Sequence, residues 1–199
     1  MNAERSLNTK MTILDTALAL VRKIGFKSVS INDLAKEVGM SKSGLFAHFN
    51  SKESMHMMIL DHAAQSFTQG VFVPAIKQPR GLPRLRAIIN NWMNWYGNNN
   101  EGGCPFLVAA AEYDGKPGDV KDRLNLHLTQ LIKSLTKAVS LCMDQGHLDS
   151  KESAEQVAYE IYSLILGALI FNRTLGKKSS MKMFQNSLEQ LLTRYSPTK

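Results

Sequence analysis

The tightest constraint in this sequence is a joint three residues long. Ile31, Leu34, Ala35 and Val38 give one short helix an apolar face, and Leu45 with Phe49 stack one turn apart on the buried side of another. Only Gly39, Met40 and Ser41 lie between them, and Ser41 already serves as the cap of the second helix. Gly39 must therefore adopt a backbone conformation costly for other residues, and the two helices must meet as a helix-turn-helix. Upstream, Ile13, Leu14, Ala17, Leu18, Val21 and Ile24 recur at helical spacing, and Gly25 ends the run. Ser30 and Asp33 predict a capping box at the start of the middle helix. Asn50 with Glu53 predicts the cap of a fourth helix through Met55, Ile59, Ala63 and Phe67. In such an arrangement the second helix braces against a duplex, and the third offers its N-terminal residues to the major groove.

The remainder also reads as helices separated by breakers. Pro74, Pro79, Gly81 and Pro83 mark one break, Asn98 to Pro105 a second, Asp114 to Asp119 a third, and Gly146 to Ser150 a fourth. Leu85, Ile88, Ile89, Trp92 and Tyr96 share one face, and Leu128, Leu131, Ile132, Leu135, Val139 and Cys142 form a long stripe. Val157 to Phe171 is almost wholly apolar, with Glu160 its only charge, and Met181, Phe184, Leu188, Leu191 and Leu192 carry a last helix. No alternation of strand type and no internal repeat is found, so the expected fold is all-α.

Charge narrows the partner. Lys and Arg number 24 against 17 Asp and Glu, a net charge of +7. Residues 1–52 hold eight of these cations against four acids, so the excess is concentrated on the helix-turn-helix segment. That favours a polyanionic partner, although the same bias fits a plain solvated surface. Two separated cysteines cannot build a disulfide scaffold and suggest free thiols in a reducing compartment. Asp15, Arg22 and Lys23 interrupt the first apolar stretch, which is no signal-peptide core. The apolar run Ile161 to Phe171 falls short of the roughly 18 residues of a bilayer span. The expectation is a cytoplasmic protein without a membrane partner.

Ile13 to Met55 resembles the DNA-binding domain of TetR-type transcriptional regulators over its whole length. The anchors are Gly25-Phe26, Ser30, Ile31, Leu34-Ala35, Gly39, Ser41-Lys42, Leu45, His48-Phe49 and Ser51-Lys52-Glu53. Beyond it, only the helix layout and the stretch GGCPF…AAAEYDGKPGDV look similar. The resemblance implies a homodimeric, ligand-responsive regulator, usually a repressor, on a double-stranded DNA operator. Residues 1–50 would then be the DNA-binding domain and residues 51–199 the effector-binding and dimerisation domain. This chain departs from the family at Phe46, where a tyrosine that donates to phosphate is usual, and at Ala47, where bulkier or polar residues are common.

Nine residues are candidates for DNA contact. Lys42 and Ser43 can reach base edges or simply phosphate. Gly44 permits close approach, or is merely tolerated at a helix end. Ser30 and Ser41 cap helices and present amides to phosphate. Phe46 packs its ring, and Ala47 can touch a thymine methyl or nothing. His48 donates to phosphate or packs at the surface. Lys52 starts a helix whose dipole it opposes, which suits a nearby anion.

For a small apolar or aromatic effector the candidates are Met55, Met58, Trp92, Tyr96, Cys104, Phe106 and Tyr113, all of which serve equally as core. The fourth helix, Ser51 to Gly70, would be the lever from effector to DNA. Pro105 after Cys104 places that sulfur at a helix N-cap, where a thiolate is stabilised, so Cys104 is either a thiol sensor or a structural cap. For the dimer the candidates are Ile161, Leu164, Ile165, Ala168, Phe184 and Leu188, because a helix apolar all round must be buried all round. A central helix in a monomer is the alternative.

Catalysis finds little support. The S-x-x-K matches at Ser134 and Ser179 lack partner motifs, no phosphate-binding loop exists, and His56 with His62 would not share a helix face for a metal. No cofactor is expected. The other functional class that fits is a helical small-molecule or protein-interaction module that does not bind DNA.

Overall fold

The computed structural model describes residues 2–97, 102–149, 151–176 and 179–197; the expected breaks at Asn98 and Ser150 fall partly outside this range. The chain is helical throughout, with no strand among the described residues. Its helices are α1 (Asn2–Ile24), α2 (Ile31–Val38), α3 (Lys42–Phe49), α4 (Lys52–Phe67), α5 (Val73–Ala75), α6 (Leu82–Gly97), α7 (Pro105–Glu112), α8 (Asp119–Asp144), α9 (Ala154–Arg173) and α10 (Ser180–Arg194). Two compact units result. One comprises Met1–Thr68 with Tyr96–Thr129, the other Gln69–Trp95 with Gln130–Lys199.

In the first unit α1 packs on α2, α4 and α7, while α3 rests on α2 and α4. Its core is the predicted apolar stripe: Ile13, Ala17, Val21, Phe26, Leu34, Leu45, Phe49, Met55 and Ile59 are all essentially buried. Local chemistry sets the ends of these helices. Ser30 Oγ accepts the Asp33 amide at 3.1 Å while the Asp33 carboxylate accepts the Ser30 amide at 3.3 Å, which completes the predicted capping box. The Ser30 hydroxyl holds the Asp33 carboxyl below its usual range. Gly39 takes φ 71° and ψ 30°, and Met40 N–H closes back on Ala35 O at 3.0 Å. Ser41 then caps α3 through the Gly44 amide.

Three details differ from the sequence reading. The cap of α4 is Ser51, which accepts from Ser54 N, and not Asn50, which takes φ 62° and ends α3. The tight α3–α4 turn needs one left-handed residue, and Asn tolerates that conformation better than most. Pro74 does not break the chain. The backbone runs from α4 through a π-turn, Thr68–Phe72, into α5, where Pro74 sits in the first turn and its missing N–H is no loss. The lever expected to end at Gly70 therefore changes winding after Phe67.

In the second unit α9 and α10 form the principal pair. Val157, Ala158, Ile161, Ile165 and Ala168 face inward with Phe184, Leu188, Leu191 and Leu192. Because α9 also takes in Ala154 to Glu160, it is apolar and long enough to cross a membrane by length and composition alone, a test that the core helix of a soluble protein passes as well.

Nothing lies within 4 Å of a Cβ built on Gly39, so Gly39→Ala adds strain without a clash. It is expected to cost about 1–2 kcal/mol in urea unfolding, the usual penalty for a left-handed non-glycine residue.

Candidate nucleic-acid interface

Helix α3 buries Leu45 and Phe49 and turns Lys42, Ser43, Phe46 and Ala47 to solvent, with Gly44 and His48 half-buried at the margins. Ser30 and Ser41 stand at the N-termini of α2 and α3, as expected of caps that leave first-turn amides towards an anion. Lys52 is already in use: its Nζ donates to Lys27 O at 2.7 Å. An ammonium carries three donors, so two remain for phosphate. The Lys27 amide donates in turn to Glu112 Oε2 at 2.7 Å, which fixes the α1–α2 turn from both sides.

Of the seven expected effector residues, six lie in the first unit and one in the second. Tyr96 donates its hydroxyl to Cys104 Sγ at 2.9 Å, Phe106 packs edge-on to Phe67, and Tyr113 bonds to His56, all in the first unit. Met55 is wholly buried there and Met58 half-buried. Trp92 belongs to the second unit, against Tyr162. Cys104 does cap α7, accepting from Leu107 N, but it is only 8% exposed and burial pushes its thiol up. That is opposite to the lowered value expected at a helix N-terminus, because desolvation of a thiolate outweighs the amides. Cys142 behaves alike, pushed up to about 11. Among the dimer candidates, Ile161 and Ile165 are wholly buried in their own unit, so their side chains serve its core. Leu164, Ala168 and Phe184 line an apolar groove with Gly167, Phe171 and Met183. Leu188 lies in a second, more polar groove beside Arg86 and Glu189.

Residues 13–56 match the family model described as bacterial regulatory proteins, tetR family, and residues 81–188 match the tetracyclin repressor-like C-terminal domain. The chain belongs to the TetR family. Its members are ligand-responsive DNA-binding transcription regulators, not enzymes. Among solved structures, a TetR-family regulator from Agrobacterium tumefaciens is similar at 22% identity and TM-score 0.83, covering 96% of this chain and 99% of that one. One from Cytophaga hutchinsonii is similar at 16% identity and TM-score 0.83, covering 96% of each. AibR, solved in complex with isovaleryl coenzyme A and operator DNA, is similar at 18% identity and TM-score 0.71, covering 92% of this chain and 98% of that one. No curated protein matches the sequence significantly.

The first unit of this TetR-family chain also holds polar pairings that sequence reasoning did not bring together. His56 is 3% exposed, with its Nδ1 bonded to the Tyr113 hydroxyl and Phe26 edge-on at 5.4 Å. Burial, then the nearby Lys52 charge, lower its pKa from 6.5 to about 4, and burial with the Glu112 and Glu53 charges pushes Tyr113 up to about 12. Tyr113 therefore donates and neutral His56 accepts. Asp61 accepts from Arg123 at 3.0 Å and pairs with His127 Nε2 at 2.7 Å, and His62 Nε2 lies 2.7 Å from Asp15. No cluster of three metal-ligating residues occurs among the described residues.

His56 makes a signed prediction. Below pH 6.5 the unfolded imidazole binds a proton that the native one refuses until about pH 4. Stability from this group is complete above 6.5 and is lost as pH falls towards 4. Urea midpoints of His56→Gln should fall less than those of wild type across that interval.

Proposed function

We propose that this protein is a cytoplasmic repressor. It binds a palindromic operator as a homodimer and is released by a small apolar or aromatic effector. The carrying observation is the capped α2–α3 joint, which turns Lys42, Ser43, Phe46 and Ala47 to solvent while the opposite side of α3 is core. The basic excess of residues 1–52 supports a phosphate partner. AibR, of the same fold, carries both operator DNA and an acyl coenzyme A. The effector reading rests on side chains of the first unit: the buried Met55, Cys104 and Phe106, with the half-buried Tyr113.

The second copy would cover the outer side of α9 and α10. There Ile170, Phe171 and Met183 are 45%, 42% and 48% exposed, and they continue the apolar groove lined by Leu164 and Phe184. An apolar patch of this kind marks an interface. A two-fold dimer then sets its two α3 helices on major-groove faces about 34–36 Å apart, or a multiple of that.

Selection from random duplexes is expected to return a two-fold symmetric site, and an asymmetric one would exclude the dimeric reader. Lys42→Ala should relax base preference, whereas Lys52→Ala should weaken all duplexes alike and lower the salt slope by about one unit. Leu164→Asp should yield folded monomers with reduced operator affinity. Sedimentation that found the wild type monomeric at micromolar concentration would exclude the α9–α10 interface.

A further inference from the structure

A ring stands about half exposed on the outward face of α3. Phe46 is 47% exposed, and Ala47 beside it is open as well, on the face that also carries Lys42 and Ser43. The two serines at this end are partly occupied. Ser41 Oγ receives the Gly44 amide at 3.1 Å and lies 3.3 Å from Ser43 Oγ. The outward surface of α3 therefore offers one long cation, a hydroxyl already within reach of its neighbour, and two hydrocarbon groups. A phenyl ring gains nothing against a phosphate, since it has no donor. It gains on burial against another apolar group. The major-groove edges of the four base pairs present one such group, the thymine C5-methyl.

We propose that Phe46 and Ala47 read thymine methyls, so that the operator is specified at those positions by hydrophobic contact. This rests on the DNA-binding reading above. Lys42 then reads guanine N7 or O6 from the same helix end, and thymine preference arises one turn further along, four and five residues on.

The test replaces each thymine of the selected duplex, in both half-sites, by deoxyuridine, which lacks only the methyl. Affinities are taken by fluorescence anisotropy at one salt concentration. Wild type is expected to weaken at one or two positions per half-site by about fourfold for each methyl, the worth of one buried methylene. Phe46→Ala should bind the thymine duplex more weakly and lose the methyl dependence at the position under its ring. Phe46→Tyr, which keeps the ring, should retain it. Both variants change an exposed residue, and their helical circular dichroism should match wild type. No methyl dependence at any position in wild type, or an undiminished dependence in Phe46→Ala, overturns the proposal and leaves DNA binding standing. Failure to select any duplex overturns the DNA-binding reading and this proposal together.

Discussion

The end of α1 is the point on which the reading head depends. A helix leaves its last carbonyls without partners of its own, and each must be satisfied from elsewhere. Here the Arg22 carbonyl accepts the Gly103 amide at 2.9 Å. In the turn that follows, the Lys27 peptide gives its N–H to Glu112 and its carbonyl to Lys52. The three N-terminal helices are thus not closed on themselves; α7 and the residues before it complete their joint. Gly102 shows how close the approach is, since any Cβ there would run into the Arg22 backbone. A displacement of α7 would have to break these bonds and so would be felt at the α1–α2 turn.

What was legible in the sequence was local. Ser30 with Asp33, and Ser41 with Gly44, act within four residues, so spacing alone locates their helix starts. Asn50 and Ser51 are both good caps, and the choice between them was settled by the shape of the α3–α4 turn, which spacing does not record. The His56–Tyr113 pair spans 57 positions and the Asp61–His127 pair 66, and neither leaves a periodic trace. Those groups became visible only when folding brought α4 against residues 105–129. The Cys104 cap was legible from Pro105, but its titration was not, because burial depends on what covers the sulfur.

The apolar character of α9 was also legible, and its division into faces was not. Apolar composition could not say that Ile161 and Ile165 turn inward while Ile170 and Phe171 remain open. A helix so composed carries two faces from one sequence: the inner face stabilises its own unit, and the outer face keeps apolar side chains exposed.

The enclosure of both thiols has a practical consequence. Cys142 is wholly buried and Cys104 only 8% exposed, so the rate of alkylation reports how far the surroundings of each open as well as the thiol itself. The two sulfurs lie in different compact units, one at the start of α7 and one near the end of α8. They act as two built-in clocks, each timing the breathing of its own half of the chain without any label having to be introduced.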